Sequence, residues 1–216
     1  MKQQIKGIIF DLDGVICFTD IYHYNAWKEM ADGEGIEFDL KINDRLKGVS
    51  RAESLEIILE KASREYTPQE KADLMELKNH IYREQLKTMT PADLSEEVRN
   101  TLDALRAKGL KLAIGSSSKN AKFILERIGL IDFFDAISDG TNIQRSKPDP
   151  QVFLMAAQML QLNPEECLVV EDAEAGIDAA EAGHFHRAGI GSARDYAKTE
   201  YRLDSFQDLL NIPLES

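Results

Sequence analysis

Basic residues are in short supply. The 216-residue chain carries 26 Lys and Arg against 38 Asp and Glu, a net charge of −12 with histidine neutral. That balance argues against a surface for nucleic acid or for an anionic membrane. An anionic ligand would have to be met by a few cations gathered in one place. Cysteine is almost absent too. Cys17 and Cys167 each lie in an apolar stretch and form no CxxC pattern, so both read as reduced core residues. Long apolar runs are missing. "MKQQIKGIIF" has no leader-like apolar region, and no run approaches membrane-spanning length, which makes a reducing cytoplasm the default location. Internal repeats and low-complexity tracts are absent as well. The remaining composition, 43% apolar and 30% charged, suits one sizeable core or a domain with a smaller companion.

Ile5 to Phe10 reads as a short buried strand. From Asp20 to about Met89 the periodicity is helical, with Tyr22, Ala26 and Met30 recurring every four residues beside Trp27. "TPQE" at 67–70 is a capping box with proline at the first helical position, and Leu74, Leu77 and Ile81 mark one apolar face after it. From Pro91 onward the pattern alternates. Helices are expected at about 95–108, 119–128, 150–161 and 174–182, with Gly109 and Gly129 as stops. Strands are expected at "LKLAI" (110–114), "FDAI" (134–137), "CLVV" (167–170) and "RAGI" (187–190), with a turn at "NPEE" (163–166). This alternation predicts an α/β fold: a doubly wound parallel-sheet, Rossmann-like core with an inserted helical cap domain. The core domain comprises 1–17 and 91–216, and the cap 18–90.

Ligands of such sheets bind beyond the carboxyl ends of the strands. There the sequence gathers Asp11 and Asp13, then Ser116, Ser118, Lys119 and Asn120 of "GSSSKN", Lys147 of "SKPDP", and Glu171 with Asp172. Acids two residues apart repel, so a compensating partner is required. Asp11, Asp172 and Glu171 suit a hard divalent cation such as Mg2+, which takes carboxylates, water and phosphate. An aspartate, already ionised at neutral pH, could then attack phosphorus without a base, with Ser116 and Lys147 holding phosphoryl oxygens. Asp13 would be free for general acid/base work.

"FDLDGVI", "GSSSKN", "SKPDP" and "VVEDAEAG" resemble the four ordered motifs of the haloacid dehalogenase superfamily of phosphotransferases, over nearly the whole chain. The resemblance implies that Asp11 is the nucleophile and Asp13 the acid/base, whose backbone carbonyl also binds Mg2+. It makes Ser116 the motif-two hydroxyl, Lys147 the motif-three lysine, and Glu171 and Asp172 the motif-four acids. The metal set is then Asp11, Asp13, Glu171 and Asp172. More narrowly, "TDIYHYNAWK" (19–28) and "LKGVSRAESL" (46–55), with "SSSKN", are similar to the β-phosphoglucomutase family. That likeness implies interconversion of β-glucose 1-phosphate and glucose 6-phosphate, with glucose 1,6-bisphosphate as activator and intermediate. It implies that Arg51 grips the phosphate not being transferred, opposite Ser118 and Asn120, with Lys119 in the same loop. Sugar contacts from Lys47, Gly48, Val49, Ser50 and Lys78 are implied, and His23 helps bring the acid/base into position. Trp27 stands with this substrate-binding set, although its place on a helix reads as cap core. The partner would be a small-molecule sugar phosphate, and a monomer is expected. Phe18 and Ala173 depart from the pattern, where the hinge usually has a polar residue and the mutase a serine.

Plainer readings exist. Asp11 and Asp13 could form a turn after a strand, and Lys147 could be a solvated loop residue. Glu171 and Asp172 could cap the next helix, and Arg51 could be a surface residue at a helix start. Lys78 lies on what reads as a long exposed helix. His184 and His186 read as structural or surface residues, with no third metal ligand nearby. Among rival functions, a sugar-phosphate phosphatase on the same scaffold is nearest. A phosphonate hydrolase would need a Schiff-base lysine from Lys28, Lys47 or Lys78, and no motif supports one. A signalling receiver would lack the helical insertion, and a non-catalytic binder would lack Asp11.

Overall fold

The apolar run ending at Phe10 becomes the centre of a parallel sheet. The computed structural model describes residues 4–46 and 49–213. The chain divides into two compact units, Met1–Phe18 with Met89–Ser216, and Thr19–Thr88. β1 (Gly7–Phe10) is followed by helices alone: α1 (Asp20–Gly33), α2 (Leu40–Asp44), α3 (Arg51–Leu59) and α4 (Pro68–Leu86). Then come α5 (Glu96–Ala107), β2 (Lys111–Gly115), α6 (Ala121–Arg127), β3 (Ala136–Ser138) and α7 (Gln151–Leu160). β4 (Cys167–Glu171), α8 (Glu174–Ala182), β5 (His186–Gly189) and β6 (Tyr201–Arg202) complete the order.

The described strands form one sheet in the order β3-β2-β1-β4-β5-β6, with every neighbouring pair parallel. Phe10 lies opposite Ile114 on one side and Val170 on the other. The inner strands are near-continuous apolar runs because helices cover both faces of a parallel sheet. On one face α7 presents Val152, Phe153, Ala156, Ala157 and Leu160 to Ile9, Ala113 and Val169. Burying a side chain such as Phe153 contributes about 1.5–3 kcal/mol. The winding reverses between β1 and β4, which is where such sheets open a crevice.

The α/β alternation expected from the sequence is present, with shifted edges. Glu171 is the last residue of β4 rather than the first beyond it. β3 starts only at Ala136, because the Asp135 carboxylate accepts from Leu112 N at 2.8 Å and the strand ladder begins after it. β6 was not foreseen: two residues carry no readable alternation.

The Thr19–Thr88 unit has its own core of Trp27, Met30, Ile36, Phe38, Leu55, Ile58 and Leu74. Ser50 and Thr67 cap α3 and α4 in reciprocal pairs with Glu53 and Glu70. No described helix is long and apolar enough to cross a membrane.

Candidate active site

The ladder of β1 runs one residue past the strand, since Asp11 N donates to Val170 O at 2.9 Å. This holds the buried Asp11 carboxylate beside the end of β4. A tight turn follows. Ile16 N and Cys17 N both donate to Leu12 O, and Gly14 N donates to Cys17 O at 2.7 Å. Asp13 stands half-buried on that turn. Gly14 has φ +84, and a Cβ there would fall 2.2 Å from Asp172 Oδ2. Glycine thus supplies both the left-handed backbone and the room for Asp172.

Lys147 Nζ lies 2.5 Å from Asp11 Oδ1 and also donates to Glu171 Oε1. Burial disfavours its charge, but the carboxylates of Asp11 and Glu171 outweigh burial and hold the ammonium above its ordinary pKa. Burial pushes the Glu171 carboxyl up to about 7 against the pull of Lys147, and the Asp11 charge adds to the rise. One cation therefore sits between two buried acids. Ser116 N donates to Ser138 O, tying the loop after β2 to β3. Within the loop, Ser118 N donates to Ser116 Oγ and Asn120 N to Ser118 Oγ, each at 3.1 Å. Ser116 and Asn120 are buried and Lys119 is exposed.

Asp11, Glu171 and Asp172 each bring a carboxylate oxygen within 4.8 Å of the others. Three hard oxygen donors at this spacing fit a Mg2+ ion, and the space left by Gly14 is part of that fit.

The helical unit holds a second set. Arg51, half-buried at the start of α3, donates from Nη2 to Asn79 Oδ1 at 2.9 Å. Lys78 is not on an exposed face as expected; it is only 2% exposed. Its Nζ lies 2.8 Å from His23 Nδ1 and over the rings of Trp27 and Tyr82, at 4.9 and 4.6 Å. His23 stacks on Tyr82 with centroids 4.1 Å apart. An ammonium has only donors, so Nδ1 accepts and the ring proton resides on Nε2. Burial first, then the charges of Lys78 and Arg51, hold the His23 pKa well below its usual value, so the ring is neutral. Trp27 lies in the helical core, Val49 is exposed and Ser50 is the cap of α3. Lys47 and Gly48 lie outside the described residues. Elsewhere, His186 pairs with Glu200 at 3.0 Å and His184 is exposed. Sequence reasoning passed over Asn79, Gly14 and Gly176. The glycine in each of "DLDG" and "AEAG" was the available signal, but its meaning depends on where a carboxylate points.

A family model described as haloacid dehalogenase-like hydrolase matches residues 5–184. The chain belongs to the haloacid dehalogenase-like hydrolases. Within that family it is 45% identical over 192 residues to a β-phosphoglucomutase of Bacillus subtilis, covering 88% of this chain and 85% of the relative. It is 30% identical to a fructose-1-phosphate phosphatase of Escherichia coli, over 84% of this chain and 94% of that protein. A crystal structure of a β-phosphoglucomutase from Clostridium difficile superposes with a TM-score of 0.86 at 38% identity, covering 95% of this chain and 93% of that one. These likenesses mark this haloacid dehalogenase-like protein as an enzyme.

Proposed function

We propose that the protein is a Mg2+-dependent mutase that interconverts β-glucose 1-phosphate and glucose 6-phosphate. The observation that carries this reading is Arg51, oriented by Asn79, on the same helical unit as the Lys78–His23 pair. Such cations suit a second anion site, which a simple phosphatase does not need. The similarity to β-phosphoglucomutases of two species supports the same choice.

In one half-reaction an Asp11 oxygen attacks the phosphorus of the bisphosphate. The bond from phosphorus to the sugar oxygen breaks, and Asp13 gives that oxygen its proton. In the other half-reaction Asp13 takes the proton of the remaining sugar hydroxyl. That oxygen attacks the aspartyl phosphate and frees Asp11. Asp11, Glu171, Asp172 and the Asp13 carbonyl would hold a Mg2+ ion, which would supply charge neutralisation for the phosphoryl oxygens. Ser116 and Lys147 bind those oxygens. On the helical unit Arg51 binds the phosphate at rest, a role that Ser118, Lys119 and Asn120 serve on the sheet unit; Lys47, Gly48, Val49, Ser50 and Lys78 recognise the sugar, and His23 helps bring Asp13 into position. In this reading residues 18–90 act as the cap, and the enzyme works as a cytoplasmic monomer.

A sugar-phosphate phosphatase is the second reading, favoured by the relatives that carry that name. Offering α- and β-glucose 1-phosphate with Mg2+ and trace bisphosphate separates them. The mutase gives glucose 6-phosphate from the β anomer with little free phosphate. Stoichiometric free phosphate without glucose 6-phosphate would establish the phosphatase instead.

A further inference from the structure

Gly176 is the third residue of α8 and is buried. A Cβ built there meets one group only among its three nearest atoms, the carboxyl of Glu171: Cδ at 1.9 Å, Oε1 at 2.1 Å and Oε2 at 2.4 Å. The backbone does not explain the glycine, because Gly176 is not among the residues with positive φ. Alanine is the better helix former at an ordinary helical position. The missing side chain is instead filled by the carboxylate itself, which also accepts from Ala173 N at 3.3 Å over the first turn of α8. Gly14, by contrast, combines a carboxylate contact with φ +84, so a substitution there mixes strain with displacement.

We infer that Gly176 is a positioning residue for the cation site: its bare Cα lets the Glu171 carboxylate lie flat on α8, within 4.8 Å of the Asp11 and Asp172 oxygens. This inference rests on the Mg2+ reading of that cluster. A methyl group at 176 displaces the Glu171 carboxylate from its places on Lys147 Nζ and Ala173 N and leaves the α8 backbone in place. The helix tolerates the change, and the cation loses a ligand.

The test is a calorimetric Mg2+ titration of the substrate-free protein, with thermal unfolding as the control. Gly176→Ala should fold cooperatively and bind Mg2+ about 10–100-fold more weakly, the range seen when the support of a metal ligand is disturbed. Glu171→Asp shortens the side chain by one methylene and withdraws it from the added methyl. In the Glu171→Asp background, Gly176→Ala should therefore cost less than about twofold, since the collision that couples the two positions is gone. An equal penalty in both backgrounds overturns the inference, as does Mg2+ affinity in Gly176→Ala within twofold of wild type, or a variant that does not fold. Wild-type protein that fails to bind Mg2+ overturns the metal reading and this inference together.

Discussion

His23 shows how a single side chain is held in one protonation state. It is stacked on Tyr82, bonded to Lys78 and near the Arg51 charge, and its pKa is well below 6.5. An imidazole with a depressed folded pKa takes up a proton on unfolding, so stability falls as pH drops below the unfolded value. The slope is about 1.4 kcal/mol per pH unit until the folded pKa is reached. Chemical denaturation of wild type and His23→Gln should show their stability difference shifting against wild type as the pH falls below 6.5. A difference constant over that range would mean that the folded ring titrates normally. At Asp13 the expected effect is kinetic. Asp13→Asn should keep sugar-phosphate affinity within a few-fold and lose ~10²–10⁴ in kcat. A loss under about threefold would assign the proton to another group.

At the scale of elements, α8 lacks a side-chain cap. Ala173 has φ −120 and ψ 144, the extended geometry of an N-cap, but no hydroxyl to offer. Ala173→Ser should add about 1 kcal/mol of stability, read as a Tm increase of roughly 2–4 °C. An unchanged Tm would mean that the first-turn N–H groups are already served. Much of this element order was legible beforehand, because inner strands buried on both faces must be written as apolar runs, as in "GIIF" and "CLVV". The acids at their ends were legible for the same reason. The burial of Lys78 was not: its surroundings come from His23, Trp27 and Tyr82, and the charged neighbours in its own helix suggest solvent. β6 owes its two residues to pairing with β5 rather than to its own composition. The Gly176 contact depends on a side-chain direction that no periodicity encodes.

At the scale of the molecule, a net charge of −12 leaves a phosphate dianion dependent on local cations. Arg51→Ala should weaken glucose-phosphate binding by roughly ten- to hundredfold, the worth of a charge-assisted hydrogen bond at ~1.5–3 kcal/mol. Hydrolysis of a small acyl phosphate, which has no second phosphate to hold, should change much less. Mutase turnover and affinity near wild type would place the second anion site elsewhere. The sheet order also bears on synthesis. β1 is made first, yet its partners β2 and β4 begin only at Lys111 and Cys167. The helical unit between them is continuous in the chain and carries its own apolar cluster, so it can fold while β1 still waits. At ribosomal speed the second partner emerges on the order of ten to thirty seconds after the first strand. Until β2 emerges the strand that ends at Asp11 has both edges unpaired, and until β4 emerges it still lacks its second partner. Among the described strands, the one proposed to carry the nucleophile is thus the one that waits longest for both of its partners on a nascent chain.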